Sequence, residues 1–148
     1  MTWPIVVAWV HYIGAMLLIA GLLGEHLLLK QELTAAAART LQRLDIIYGG
    51  SATLVLITGI MRMYLEKGVI YYLHSGAFHV LLGLFVVVAL LSIYPTVVFL
   101  RWRAGTRAGR GQQLVPGQLK KLQMILRAEM TLMLVAPLFA TWMAHGGF

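Results

Sequence analysis

His11 lies in the stretch V-A-W-V-H-Y-I-G-A-M-L and His79 in the stretch S-G-A-F-H-V-L-L-G-L, so apolar residues surround both imidazoles. Imidazole nitrogens ligate haem iron and transition metals, and ionisable residues within long apolar segments often mark function. Two such histidines on different segments suit the axial ligands of a haem b that transfers electrons. The alternative is that each imidazole only forms a hydrogen bond with a neighbouring helix.

Glycines accompany both histidines. Gly76 and Gly83 lie three residues before and four residues after His79, which puts them on one helical face, and Gly14 lies close to the first histidine. A face without side chains would let a flat macrocycle approach the backbone, whereas close packing between membrane helices is the alternative explanation. Arg62 is a candidate partner for a haem propionate, or it extends to lipid headgroups.

A second polar cluster is predicted from Glu25, His26, Asp45 and Glu129, with Arg127 close to the last of these in sequence. The helical period turns His26 inward, where it could ligate a second haem or a metal ion. His26 and the three carboxylates are candidate catalytic groups, because imidazole and carboxylate side chains accept and donate protons. An ion network with Arg127 that orients the helices is the plainest alternative.

Long apolar segments must position these residues. The chain is 60% hydrophobic and only 11% charged, and its mean hydropathy is +0.82, which excludes an ordinary soluble domain. A helix needs roughly 20 apolar residues to cross a bilayer, and four segments satisfy this requirement. They are approximately residues 5–29, 44–61, 77–100 and 122–144. The sequence therefore predicts an all-α integral membrane protein, a four-helix up-down bundle that forms a single domain over residues 1–148.

Basic residues between the segments predict the orientation. The 30–43 connection carries three basic residues and the 101–121 connection carries six, whereas the 62–76 connection carries two. Basic loops stay in the cytoplasm, so both termini are expected outside, and the first segment is expected to be a retained helix rather than a signal peptide. The net charge of +7 is then explained by contact with the lipid bilayer, and nucleic acid is not an expected partner.

The remaining metal-binding residue types leave copper as an alternative to haem. The chain has no cysteine, which excludes disulfides, iron–sulfur clusters and thiolate ligands. It has eight methionines, and Met130 and Met133 lie three residues apart, although methionine in a membrane helix usually serves packing. His74 and His145 are expected at the same membrane face as the first two histidines, but as surface residues.

The early H-Y-I-G stretch, the G-L-L-G-E-H-L-L-L-K tail of helix one and the F-H opening of helix three resemble HemJ-type protoporphyrinogen oxidases and CopD-type copper-resistance membrane proteins. More closely, the chain resembles a small bacterial family of four-helix membrane proteins grouped beside them. The resemblance implies a bacterial inner (plasma) membrane location, and haem b with redox chemistry at His11, His26 and His79. Leu81 stands where HemJ-like chains tend to have lysine, and their Leu-Pro-Arg tail is absent. These departures count against porphyrinogen oxidation more than against haem binding.

Three classes of function follow from these residues. The first is a haem b protein that holds its haem between helices one and three near the outer face and takes electrons from a quinol or another lipid-phase donor. The second is a HemJ-like oxidoreductase, whose second polar cluster handles protons while a porphyrinogen is oxidised. The third is a CopD-like copper-handling protein without haem. The sequence does not decide whether the protein is an enzyme or whether it forms a homodimer.

Overall fold

A computed structural model describes residues 2–112 and 114–147. Six helices follow one another along the chain, and four of them are long. The helices are α1 (Trp3–Leu28), α2 (Ala35–Leu65), α3 (Val69–Leu73), α4 (Gly76–Arg101), α5 (Arg103–Arg107) and α6 (Pro116–Ala144). The described residues contain no strand beyond one isolated bridge between Leu33 and Gln112.

The four long helices have the length and composition of membrane spans. They contain 26, 31, 26 and 29 residues in chain order, and each is apolar enough to cross a bilayer. Successive long helices run in opposite directions. The predicted all-α, four-helix membrane fold is therefore confirmed.

Two of the long helices begin well before the predicted apolar spans. α2 begins after Thr34, whose hydroxyl accepts a hydrogen bond from the Ala37 backbone N–H at 3.2 Å and so caps the helix. The alanine-rich residues that follow favour a helix, so the span continues from this lead without a break. α6 begins at Pro116, because proline is well suited to the first turn of a helix. The short helices α3 and α5 lie in connections and were not predicted.

The bundle is a closed ring of neighbouring helices. α1 packs along α2 and α4 packs along α6, while the α1–α6 and α2–α4 contacts complete the ring. α1 and α4 lie diagonally, and their backbones do not approach each other closely. Glycines set the close α1–α2 approach. A Cβ atom built on Gly14 would lie 3.1 Å from Val55 Cγ2, and one built on Gly21 would lie 3.3 Å from Tyr48 Cβ.

The two ends of the bundle differ in charge. The end that carries the start of α1, the whole of α3 and the end of α6 is called here the termini face. The opposite end, which carries the 29–34 and 102–115 connections, is called the basic face, because most of the cationic side chains lie there. At the basic face, the amide of Gln42 donates to the Phe99 carbonyl at 3.0 Å and that of Gln123 donates to the Leu29 carbonyl at 3.3 Å. These bonds join α2 to α4 and α6 to α1.

Candidate functional site

Three carboxyl side chains from three helices lie in the interior of the bundle. Glu25 on α1 is 1% exposed, Asp45 on α2 is 8% exposed and Glu129 on α6 is fully buried. They are close enough for their charges to repel one another. We call Glu25, Asp45 and Glu129 the acidic cluster. The structure thus brings together the three carboxylates that the sequence placed in one polar cluster.

Three of the six carboxyl oxygens of the acidic cluster have no polar partner among the described residues. The Thr96 hydroxyl donates a hydrogen bond to Asp45 Oδ1 at 2.9 Å. Among the described residues, no group bonds to Glu25 Oε1 or to either carboxyl oxygen of Glu129. Native proteins rarely leave buried polar atoms in this state, so each such atom calls for an explanation.

No cationic side chain neutralises the acidic cluster. Within residues 2–112 and 114–147, the ion pair formed is that between Arg62 and Glu66, at the other end of the bundle. Arg127 is exposed and pairs with no carboxylate there. The predicted ion network between Arg127 and the buried carboxylates is therefore wrong. Arg127 precedes Glu129 by two residues, about 200° around the helix, so the two side chains cannot share a face.

His26 is also buried, next to the acidic cluster in sequence. It is 8% exposed, and its Nδ1 atom has no hydrogen-bond partner among the described residues. Across the part of the chain that the structure describes, no three His, Asp or Glu side chains converge closely enough to hold a metal ion. The structure therefore does not assemble a multidentate metal centre around His26, and copper binding stays a prediction.

His11 is half-buried on α1 and faces α2. Its Nδ1 atom lies 2.9 Å from the Thr58 hydroxyl, and that hydroxyl donates its own proton to the Leu54 carbonyl at 2.7 Å. Because the Thr58 proton is already used, His11 Nδ1–H must be the donor. The bond therefore assigns the tautomer in which Nε2 carries the lone pair, the form that ligates metals.

His79 lies on the outside of α4. Its Nδ1 atom is 2.8 Å from the Ser75 carbonyl oxygen, so this nitrogen donates and Nε2 carries the lone pair. His79 is exposed, and two residues of helix place it about 200° from the fully buried Ala77. Since the backbones of α1 and α4 do not approach each other closely either, the structure does not bring His11 and His79 around a common space inside the bundle. His74 and His145 are exposed, as predicted.

The glycines proposed to contact a macrocycle have different surroundings. Gly14 is buried against Val55 and Leu54 of α2, so it serves helix packing and leaves no room for a planar cofactor. Gly83 is exposed, and a Cβ atom built there would meet no atom within 4 Å. Gly76 is the first residue of α4. The open space is therefore beside Gly83, on the outer surface of α4, and not beside Gly14 in the core.

Arg62 lies near the termini face, as expected for a residue that contacts a propionate. Its Nε atom donates to Glu66 Oε1 at 2.5 Å, and its guanidinium carbon lies 5.2 Å from the centre of the Tyr12 ring. The Tyr72 hydroxyl donates to the other Glu66 oxygen at 3.2 Å, and burial together with the Glu66 charge raises the pKa of Tyr72. Arg62 is therefore already engaged in a local network of polar and aromatic groups.

A cavity that the sequence did not indicate lies between the four long helices. Its volume is about 180 Å³, and hydroxyl-bearing residues form part of its wall: Tyr48, Ser92 and Thr96. Thr96 joins this cavity to the acidic cluster through its bond to Asp45. The sequence carried a signal for Tyr48 alone among these wall residues, because Asp45, Tyr48 and Ser51 follow one another at helical spacing and mark the buried face of α2.

Four long apolar helices with acidic groups in the interior define an integral membrane protein of the four-helix bundle class. The chain belongs to a family described as predicted membrane protein (DUF2214), whose model matches residues 3–147. Comparison with curated proteins and with solved structures found no match. The family assignment supports the membrane location, and it carries no link to HemJ-type or CopD-type proteins.

Proposed function

We propose that this membrane protein takes up and releases protons at the acidic cluster. The observation that carries the proposal is the absence of polar partners, among the described residues, for Glu25 Oε1 and for both oxygens of Glu129. A buried carboxylate needs a counter-charge, and ionisable groups within membrane helices usually mark function. No cationic side chain of residues 2–112 and 114–147 supplies that charge, and a proton is the smallest cation that can.

The spacing of the carboxyl groups favours protons over a metal ion. A metal ion needs several ligand atoms converging on one point, and the described side chains do not provide this arrangement. Protons require no such convergence, because each carboxyl group binds its own. Mutual repulsion between the acids also means that binding at one carboxyl group depends on the charge of the next.

His26 is the proposed connection between the acidic cluster and water. It follows Glu25 directly in the last turn of α1, close to the basic face, and its Nδ1 atom lacks a partner in the described structure. An imidazole can accept a proton on one nitrogen while it releases another proton from the second nitrogen. With the termini outside the cell, as the basic loops predict, His26 would exchange protons with the cytoplasm.

Infrared difference spectroscopy of the purified protein in lipid nanodiscs tests the proposal. We expect a carbonyl band from protonated carboxyl groups that shifts in D₂O and disappears as the pH is raised, since a carboxyl group loses its proton at high pH. Glu25→Gln and Glu129→Gln are each expected to remove part of this band. Glu32→Gln is the control, because Glu32 is exposed in a connection. The absence of such a band, or a band unchanged in both buried variants, would refute the proposal.

A second candidate function, haem b binding in an electron-transfer or oxidoreductase protein, is favoured by the hydrogen bonding of His11. The Thr58 hydroxyl fixes the ring so that Nε2 carries the lone pair, which is how outer hydrogen bonds commonly orient ligating histidines. The interior cavity does not fit a haem, because it is about 180 Å³ and cofactor sites usually measure about 300–1,000 Å³. A haem would therefore lie at the surface of the bundle, where iron bound by His11 would supply one-electron chemistry.

Visible spectra of the oxidised and reduced protein, purified after expression with ample haem, test this candidate. We expect His11→Ala to abolish haem binding and Thr58→Val to weaken it by roughly tenfold, the range found when such outer hydrogen bonds are removed. His79→Ala is expected to retain the haem, because His79 faces away from the core. Equal loss in the His11 and His79 variants would support the bis-imidazole ligation predicted from the sequence. A colourless wild-type protein would exclude this candidate.

A further inference from the structure

The cavity between the long helices lies in the apolar middle of the bundle. All four long helices contribute residues to its wall. The wall includes the apolar residues Leu18, Phe85 and Met133 together with the hydroxyl-bearing residues already described. Such a mixture is typical of small-molecule sites, in which a mainly apolar surface carries a few polar groups that orient the ligand. Neither the acidic cluster nor His11 belongs to this wall.

The cavity opens sideways between α2 and α4. Gly49 and Ala89 line it and are nevertheless exposed, so small residues form its mouth. A Cβ atom built on Gly49 would meet no atom within 4 Å, which shows that the space beside it is open. Because both residues lie near the middle of spanning helices, this mouth faces the lipid phase and not water.

Two of the three hydroxyl groups of the wall, those of Ser92 and Thr96, already donate their protons to other groups. Ser92 donates its proton to the Ala89 carbonyl at 2.7 Å, and Thr96 donates its proton to Asp45 Oδ1 at 2.9 Å. A hydroxyl group has one proton, so each of these oxygens retains lone pairs for another partner. The Tyr48 hydroxyl lies beside Ser92 and can donate to it, so the Thr96 oxygen is the acceptor left for a ligand, and a ligand that satisfies it must bring a donor.

We propose that the cavity binds the hydroxyl-bearing ring of a membrane-dissolved molecule of the phenol or hydroquinone class, which enters between Gly49 and Ala89. The cavity is smaller than a typical site for a whole ligand, and its lateral mouth lets an alkyl tail stay in the lipid. The ring packs against Phe85 and Met133, since aromatic and thioether groups favour such contacts. This inference stands on the cavity alone and holds whether or not the acidic cluster exchanges protons.

Calorimetric titration of the full chain in nanodiscs tests the inference, with 4-hexylphenol as the probe and protein-free nanodiscs as the background. We expect saturable binding of the phenol. Its methyl ether, which cannot donate, is expected to bind at least about tenfold more weakly. Gly49→Leu places a side chain in the open space at the mouth, and we expect it to reduce the affinity by about tenfold or more.

Gly50→Leu is the matched control, because a Cβ atom at Gly50 also meets nothing within 4 Å but this residue does not line the cavity. We expect the Gly50 variant to bind the phenol with an affinity within about twofold of that of the wild type. Absence of saturable binding, equal binding of phenol and ether, or unchanged binding by the Gly49 variant would overturn the inference. Preference for hexylamine over hexylphenol would also overturn it, since that result would assign the cavity to ammonium ligands.

Discussion

Replacing Glu129 with leucine is expected to make the bundle more stable. Glu129 is fully buried, and both of its carboxyl oxygens lack partners within the described structure. A buried polar group without a hydrogen bond costs about 1–3 kcal/mol, and an apolar side chain of similar size removes this cost. Helix propensity does not decide the outcome, because Glu and Leu are both good helix formers. We therefore expect the free energy of unfolding to rise by about 1–3 kcal/mol.

Thermal unfolding in detergent measures this change as an increase in Tm of about 2–4 °C for each kcal/mol in a chain of this length. Glu129→Gln is the informative companion, because its amide keeps polar atoms in the same apolar surroundings and should not stabilise the protein. Glu32→Leu controls for a general effect of removing negative charge. A lower Tm for Glu129→Leu would show that the carboxylate has a stabilising partner, and the acidic cluster would then be structural.

The buried carboxyl groups are expected to lower the stability of the bundle and to permit proton exchange for the same physical reason. An acidic group without partners lowers the stability of the bundle, and the same lack of partners leaves it able to bind a proton. Proteins commonly give up stability at functional sites in this way. The Thr96 bond makes Asp45 the best satisfied of the three carboxyl groups, so the same substitution at position 45 should stabilise the protein less.

The number, approximate limits and alternating direction of the spans could be read from the sequence because length and hydropathy alone decide whether a segment can cross a bilayer. The sequence did not reveal in the same way whether an individual side chain points into the bundle or towards the lipid. A membrane helix is apolar on all sides, so its pattern does not reveal which face packs against the other helices. This explains why His79 and His11 could be assigned similar depths, yet His79 lies on the outside of α4.

The sequence alone indicated part of the candidate site. Glu25, Asp45 and Glu129 stand out as acidic residues in apolar segments, and the structure brings them together. The two-residue separation of Arg127 and Glu129 already placed these side chains on different faces. The cavity was not accessible, because Tyr48 and Ser92 come from different helices and only the packing of α2 against α4 brings them to one wall.

The second large effect is expected at Gly21, where leucine should destabilise the bundle by about 3 kcal/mol, the upper end of the range of about 1–3 kcal/mol that overpacking typically costs. A Cβ atom built on Gly21 would lie 3.3 Å from Tyr48 Cβ and 3.4 Å from the Leu44 carbonyl oxygen. The nearest atoms thus include the backbone of α2, which cannot rotate away as a flexible side chain can. Leucine would force α1 and α2 apart along the longest contact in the bundle, and Tm should fall by about 2–4 °C for each kcal/mol.

Gly83→Leu is the matched control for this prediction. Gly83 also lies within a spanning helix, but a Cβ atom there would meet nothing within 4 Å, so leucine should be tolerated at the lipid-facing surface. Gly21→Ala should fall between the two, because its single methyl group requires α2 to shift by only a few tenths of an ångström. If Gly21→Leu unfolds at the same temperature as Gly83→Leu, the close α1–α2 approach does not hold the bundle together. The acidic cluster would then need another source of rigidity, since Glu25 and Asp45 lie on these two helices.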